Sequence, residues 1–196
     1  METEYGMSDD EISMLNSLMS PENLSSLGIT SGSTGTQNGG NKKSSLTQNE
    51  INEILNKITD EKAKTAVSFA LSKVGYPYSQ PLRNSGTHFD CSSLAYYAWN
   101  SAGISVMTDG SNTAASEAKW CSDNDCTVKE ENLKPGDLIF YSYSNNGRYK
   151  NISHVGIYVG DGKMVEAVDE ATGVVMQDYH NGGLVMIGRP DKKKKN

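Results

Sequence analysis

The chain has 196 residues, with 24 acidic and 18 basic side chains and a formal net charge of −6 at pH 7. This balance argues against a general nucleic-acid-binding protein, whose binding surface would be basic. The length suits one or two domains, and no apolar run approaches the roughly 18 residues that a membrane span needs.

Residues 1–46 are predicted to form a flexible segment ahead of the folded domain. The start, METEYGMSDDEISML, is acidic and lacks the apolar core of a signal peptide. A short helical pattern, broken by Pro21, consists of Ile12, Leu15, Leu18 and Met19. The following GITSGSTGTQNGGNKKSS has too few apolar side chains to order itself, and this composition is typical of a linker.

Two helices are predicted before the first cysteine. TQNE at 47–50 has the form of a capping box, and apolar residues follow it at helical spacing: Ile51, Ile54, Leu55 and Ile58. A second stripe starts near Asp60 and consists of Ala63, Ala66, Val67, Ala70, Leu71 and Val74. Gly75 is expected to cap that helix, and Pro77 cannot continue it. We interpret both stripes as surfaces that face the core.

The second half of the chain indicates a sheet. A third helix is expected from about Cys91 to Asn100, ending near Gly103. Short strand-like segments then alternate with turn residues: DLIFYSY, HVGIYVG, KMVEAV, GVVMQDY and LVMIGRP. Helices followed by antiparallel strands predict an α+β domain over residues 47–190. The basic end, residues 191–196, is interpreted as a solvated tail.

The three cysteines allow several readings. Cys121 and Cys126 could close a small disulfide loop or remain two reduced thiols, and their spacing alone is weak support for zinc, so no metal site is predicted. Cys91 follows Asp90 at the expected start of a helix, where unpaired N–H groups and the helix dipole favour a thiolate. The same N–H groups can hold an oxyanion. Cys91 is therefore a candidate nucleophile, although a small core residue is the alternative.

The candidate bases are the three histidines. His88 lies in the loop before Cys91 and is interpreted as a surface residue. His180 lies at a turn near a strand end, with no partner indicated by the sequence. His154 opens the alternating strand HVGIYVG, and its next neighbour on the same face is Gly156, which leaves room beside the ring. His154 is the preferred base, and a structural histidine at a strand edge is the alternative.

A catalytic histidine is normally oriented by a third polar group. If the turn GDG has three residues, Val159 pairs with Lys163, and Glu166 lies on the face of His154. A two-residue DG turn would place Glu166 on the opposite face. The register stays open at this point, and His180 is the next candidate if Glu166 faces away.

Three motifs in order, FDCSSLAYYAW, LKPGDLIFY and SHVGIYVGDGKMVEA, resemble the signature series of the NlpC-type cell-wall peptidases over about residues 60–190. These are papain-like cysteine enzymes that cut the peptide stems of bacterial peptidoglycan. The resemblance implies N-terminal helices packed on a central antiparallel sheet. It also implies Cys91 as nucleophile, His154 as base, and Tyr78 and the Cys91 N–H as oxyanion donors. The third position, usually His, Asn or Gln, is Glu166 here.

The resemblance also has departures. Ser93 replaces a glycine of the family, and Gln80 and Pro81 stand near the place of a usual glycine pair. Both changes concern the shape of the substrate groove. Asp90 and Ser92 match residues that bind the free amino group of the stem, while a simple helix cap is the alternative for Asp90.

The expected function is hydrolysis of the peptide stem of peptidoglycan, at the bond between D-Glu and a diamino acid. We expect a monomer with no cofactor, no nucleic-acid partner and no membrane span, acting outside a bacterial cell or at its wall, in a phage, conjugation or autolysin setting. The alternatives are a catalytically inactive wall-binding module, and an amidase or acyltransferase that uses the same cysteine and histidine.

Overall fold

The structure is a computed structural model, and it describes residues 46–192. The helical pattern at 12–19, the linker and the last four residues of the basic tail lie outside the described residues. The expected domain of residues 47–190 lies within them.

Within residues 46–192, four α-helices come before most of the sheet. They are α1 Gln48–Leu55, α2 Glu61–Ser72, α3 Cys91–Ser101 and α4 Ala114–Asp123. The predicted capping box of α1 is confirmed, because Thr47 Oγ1 accepts the Glu50 N–H and Glu50 Oε2 accepts the Thr47 N–H at 2.8 Å. Asp60 caps α2, whose predicted stripe is buried. None of the helices in the described residues is both long enough and apolar enough to cross a membrane.

Helix α4 is absent from the sequence-based expectations. Its segment AASEAKWCSD has no stripe of large apolar side chains, and the face that it buries consists mainly of small residues: Ala114, Ala115, Ala118 and Cys121. Thr113 caps the helix by accepting the Ser116 N–H. Small side chains let α4 pack closely, but they give almost no periodic signal.

The cysteines of α4 and the following turn are buried. Cys121 carries a free thiol, so the small disulfide loop considered from the sequence is not formed. Burial raises the pKa of the Cys121 thiol well above its usual value. The thiol of Cys126 donates to the Asn124 carbonyl at 3.3 Å.

The remaining segments form one antiparallel sheet of six strands in the order β1-β6-β2-β3-β4-β5. Five of the strands match predicted segments, and the two-residue β1 was not expected. Their bounds are β1 Thr127–Val128, β2 Leu138–Tyr141, β3 His154–Gly160, β4 Lys163–Ala167, β5 Val174–Asp178 and β6 Leu184–Gly188. The predicted α+β class with helices packed on a central antiparallel sheet is confirmed.

The main core lies between the helices and one face of the sheet. Helix α3 buries its apolar side there, and the Trp99 indole N–H donates to the Gly136 carbonyl at 3.0 Å. Gly136 has φ +93°, and a Cβ at this position would lie 2.9 Å from Ala63 Cβ, so only glycine fits beside α2. This packing holds α3 against β3, and a hydrogen bond between Cys91 and His154 places the N-terminus of α3 at the beginning of that strand.

Candidate active site

The turn between β3 and β4 decides between the two registers that the sequence left open. Gly160 pairs with Lys163, so the turn is the two-residue alternative and Val159 does not pair with Lys163. Asp161 and Gly162 form a two-residue turn, and both have positive φ, 49° and 69°. Two left-handed residues in succession are typical of the hairpin turn whose twist matches that of the strands.

A β-bulge next to this turn places Glu166 on the face of the sheet that a three-residue loop would have given it. The register shifts between Tyr158 and Gly160, and Tyr158 pairs with Met164. Continued along the strands, this register places Glu166 beside Gly156, where an added Cβ would lie 3.7 Å from Glu166 Cβ. Glu166 therefore lies on the same face as His154, although the turn has two residues.

His154 stands between Cys91 and Glu166. Its Nε2 bonds Glu166 Oε2, and the ring also hydrogen-bonds Cys91. The other carboxylate oxygen of Glu166 accepts a hydrogen bond from Gln177 on β5. The side chains of His154 and Glu166 are 14% and 4% exposed, so water has little access to the contact between them. Gln177 was not predicted, because the β5 pattern gives no sign that one of its polar residues supports the site.

The surroundings of His154 favour its charged form. Burial alone lowers the pKa of the ring, but hydrogen bonds and negative charge from Cys91 and Glu166 outweigh it and raise the pKa to about 10. At neutral pH the ring is therefore an imidazolium. A proton donor of this kind beside a thiol is suited to protonating a leaving group.

Cys91 is the first residue of α3, and the helix cap before it fixes its position. Asp90 Oδ1 accepts the Ser93 N–H at 2.7 Å, and Ser93 Oγ accepts the Asp90 N–H at 2.9 Å, which is a reciprocal capping box. Ser93, the departure from the family's glycine, is fully buried and forms half of this cap. Cys91 itself is partly exposed, as a nucleophile must be.

Tyr78 approaches the same place from the preceding loop. It forms a parallel β-bridge with Phe89, two residues before Cys91. Gln80 donates to the Tyr78 hydroxyl at 3.3 Å, so this departure from the glycine pair touches the candidate oxyanion donor. Burial raises the pKa of Tyr78, with a smaller contribution from Cys91. The hydroxyl therefore keeps its proton at neutral pH and can donate it in a hydrogen bond.

Arg83 occupies the flank of the site formed by Asp90 and Ser92. Its guanidinium lies 3.0 Å from Asp90 Oδ2 and donates to Ser92 Oγ at 3.1 Å. It also donates to the carbonyl of Asn112 at 3.0 Å. Neither Arg83 nor Asn112 was expected here, since the two lie 29 positions apart outside the helices and strands and no periodic pattern joins them.

Glu117 of α4 is a second unexpected neighbour of the site. Its side chain is fully buried, and neither carboxylate oxygen has a hydrogen-bond partner among the described residues. Burial raises the pKa of Glu117 well above its usual value, and the charge of Cys91 adds to this, while Arg83 opposes it. Burial without a hydrogen-bond partner thus favours the neutral form of this carboxyl group.

The other two histidines lie outside this array. His88 is partly exposed, and its Nδ1 lies 3.0 Å from Thr87 Oγ1. The ring of His180 lies 4.9 Å from that of Tyr141, and the His180 carbonyl accepts the Tyr141 hydroxyl at 2.9 Å. Glu166, and not His180, is the hydrogen-bond partner of the His154 ring.

Comparison with known proteins gives relatives with similar domains. The chain is 34% identical over 124 residues to a protein named probable endopeptidase p60 from Listeria grayi, across 61% of this chain and 21% of that protein. It is 32% identical over 130 residues to the bifunctional muramidase/DL-endopeptidase CwlT of Bacillus subtilis, across 64% of this chain and 36% of that protein. The chain thus spans between about a fifth and a third of the length of these curated relatives.

Solved structures and a family profile agree with these relatives. A crystal structure of an NLP/P60-family protein from Staphylococcus aureus matches 69% of this chain and 43% of that chain, with 27% identity and a TM-score of 0.53. The profile of the NlpC/P60 family matches residues 75–186. This range is more than half of the chain and includes Cys91, His154 and Glu166, and the chain accordingly belongs to the NlpC/P60 family.

Proposed function

We propose that this chain is a peptidoglycan hydrolase, a cysteine endopeptidase that cleaves the stem peptide between D-Glu and the following diamino acid. The observation that carries the proposal is the array of Cys91 at a helix N-terminus, His154 beside it and Glu166 behind His154. The endopeptidase and DL-endopeptidase names of the curated relatives support the substrate class and the bond.

The proposed first step is acyl transfer to Cys91. The thiolate sulfur attacks the amide carbonyl carbon, and the carbonyl electrons move onto oxygen. His154, protonated at neutral pH because its pKa is raised to about 10, gives its proton to the leaving amine as the C–N bond breaks. The products are a free amine and a thioester on Cys91.

The proposed second step returns the enzyme to its starting state. His154, now neutral, removes a proton from water, and the resulting hydroxide attacks the thioester carbonyl. The C–S bond breaks, which releases a carboxylic acid and restores the Cys91 thiolate beside the His154 imidazolium. Glu166 accepts the His154 N–H throughout, so it holds the ring in one orientation and stabilises its positive charge.

Two donors are proposed to stabilise the oxyanion of both steps. The Cys91 N–H belongs to the first turn of α3, whose N–H groups have no partners within the helix. The Tyr78 hydroxyl is the second donor, since it keeps its proton at neutral pH. Asp90 and Ser92 border the same site and are proposed to contact the part of the stem before the scissile bond.

Digestion of purified stem peptides tests the function. The tripeptide L-Ala-γ-D-Glu-diamino acid, offered with a free and with an N-acetylated amino terminus, is expected to release the free diamino acid from at least one of the two forms, identified by mass. An amidase would leave both forms intact and would release the whole stem from a muropeptide that keeps its glycan, and an acyltransferase would produce a new amide with an added amine. A wall-binding module would leave every peptide intact while sedimenting with cell walls, and any of these three results would contradict the proposal.

A further inference from the structure

Arg83 leaves little capacity for another cation at Asp90. Asp90 Oδ2 lies 3.0 Å from the Arg83 guanidinium, while Oδ1 accepts the Ser93 N–H at 2.7 Å. Ser92 Oγ, the other expected ligand of a free amine, accepts a hydrogen bond from the same guanidinium at 3.1 Å. Both groups expected to hold an ammonium thus already face a cation from the chain itself.

The anchoring of Arg83 indicates a fixed part of the site rather than a loose surface side chain. Its guanidinium also donates to the Asn112 carbonyl at 3.0 Å and to Asn112 Oδ1 at 3.2 Å. These contacts join the loop before α3, the beginning of α3 and the segment before α4. The Arg83 side chain is 20% exposed and that of Asp90 is 5% exposed, so water screens the pair only weakly.

No carboxylate near Asp90 is free to offset the charge of an incoming ammonium. Arg83 pairs with Asp90, and Glu166 is bonded to His154. Glu117, the other acidic side chain close to Arg83, is fully buried without a hydrogen-bond partner among the described residues, and burial favours its neutral form. A positively charged amino terminus placed beside Asp90 would therefore meet the Arg83 guanidinium without a free carboxylate to offset the repulsion.

We infer that Arg83 determines specificity at this site, by making it accept stem peptides whose amino terminus is blocked by an amide and by removing any need for a free amino terminus. The inference rests on the proposed function and names the substrate form for it. An amide carries no charge for Arg83 to repel, and its carbonyl oxygen can accept a hydrogen bond from a guanidinium. The natural substrate is then the stem peptide still joined to its glycan strand, rather than a free turnover peptide.

A matched pair of peptides tests this inference. The tripeptide L-Ala-γ-D-Glu-diamino acid is offered with a free amino terminus and with an N-acetyl group, and kcat/KM is measured for each. The ratio of the acetylated to the free peptide is compared among wild type, Arg83→Met, Asp90→Asn and Arg148→Met. Because the ratio is taken within one variant, changes in the chemistry at Cys91 cancel. Arg148 lies on an exposed loop and is the control for loss of an arginine.

Wild type is expected to cut the acetylated peptide at least as fast as the free one. Arg83→Met uncovers the Asp90 carboxylate, so the ratio is expected to fall at least tenfold, while Arg148→Met keeps the wild-type ratio. Asp90→Asn leaves Arg83 uncompensated and retains a capping side chain, so its ratio is expected to equal or exceed that of wild type. If Arg83→Met does not fold, wild type and Asp90→Asn decide the question.

A wild-type preference of tenfold or more for the free amine would overturn the inference alone. A ratio that stays within twofold in folded Arg83→Met would overturn it too, and so would a ratio in Asp90→Asn below that of wild type. Cleavage of neither peptide by wild type would overturn the proposed function, and the inference with it.

Discussion

Glu166 reaches His154 from the neighbouring strand across a hairpin whose turn has only two residues. The carboxylate meets the imidazole because a β-bulge next to Gly160 shifts the register by one position. Without the bulge, a two-residue turn would direct Glu166 to the opposite face of the sheet. The contact thus depends on the irregularity of the hairpin as much as on the identity of the acid.

Variants of Glu166 separate an orienting role from a purely structural one. Glu166→Gln keeps an acceptor for the His154 N–H, so it is expected to retain activity within about tenfold of wild type. Glu166→Ala removes the acceptor and leaves the ring unoriented, and we expect a loss of about 100-fold or more in kcat, by analogy with other triads. Steady-state hydrolysis of a stem peptide measures both. Wild-type activity in Glu166→Ala would show that the contact with His154 has no part in catalysis.

The alkaline limit of activity is expected to follow the pKa of His154. Its pKa is raised to about 10, so the leaving amine loses its proton donor only as the pH rises through that value. Glu166→Gln removes a negative charge beside the ring, which lowers the pKa of His154 and moves the alkaline limb of kcat down by about 1–3 pH units. A pH profile of kcat between pH 6 and 11 measures the shift. An unchanged limb would mean that another group sets it.

The same pKa makes a prediction for stability. Since the folded pKa of His154 lies above its unfolded value of 6.5, the ion-pair contribution of His154 is fully present below pH 6.5 and is lost as the pH rises through about 10. His154→Gln is therefore expected to lose stability relative to wild type most strongly near pH 6, with a smaller difference near pH 10. Thermal unfolding at both values measures this, and an equal difference at the two would contradict it.

Tyr78→Phe removes one proposed oxyanion donor while keeping the ring. We expect kcat to fall by about 100-fold with little change in KM, because the hydroxyl acts on the charge that develops in the transition state. Tyr97→Phe, which removes a hydroxyl that bonds Asn84 at 3.2 Å, is the matched control and is expected to keep wild-type kcat. A fall in both variants alike, or in neither, would remove Tyr78 from the oxyanion site.

Glu117→Gln tests the buried carboxyl of α4. The folded pKa of Glu117 lies well above 4.5, so the folded state binds its proton more tightly and loses stability relative to the unfolded chain as the pH rises above about 4.5. The amide has no such dependence. The Tm of Glu117→Gln is therefore expected to exceed that of wild type, by a margin that grows from pH 4 to pH 8. Each kcal/mol that the variant gains in free energy of unfolding corresponds to a rise in Tm of about 2 °C or more.

The exposed residue Glu53 supplies the control for that experiment. Glu53→Gln, on the outer side of α1, is expected to leave the difference in Tm small at every pH. A margin for Glu117→Gln that stays constant with pH would show that the Glu117 carboxyl does not titrate differently in the folded and unfolded states.

Periodic patterns predicted much of this fold from the sequence. The stripe of α2 and the alternation of β3 are both carried by apolar side chains that face a core, so spacing alone reveals them. Helix α4 was not predicted because its buried side consists mainly of alanines, which differ too little in size and hydrophobicity from the neighbouring serines to give a periodic pattern. The sequence left the face of Glu166 open, because a β-bulge changes the register of a strand pair without any sign in composition.

Local spacing predicted only part of the candidate site, and Tyr78 was named from the family resemblance. Cys91 and its cap Asp90 were found because a helix start places them together, and His154 because it opens a strand. Arg83 and Glu117 reach the same place from a loop and from α4, and only the tertiary fold brings them beside Cys91. Patterns of local spacing contain no information on such contacts.

The most direct test of Cys91 as the nucleophile is the rate at which Cys91→Ala hydrolyses purified stem peptides, measured by product mass against wild type. Alanine suits the first turn of a helix, so the variant is expected to fold, and its circular dichroism spectrum and Tm check this. If the Cys91 sulfur forms the bond to substrate, we expect no hydrolysis above background. A folded Cys91→Ala protein that retains more than a tenth of the wild-type rate would contradict this role of Cys91.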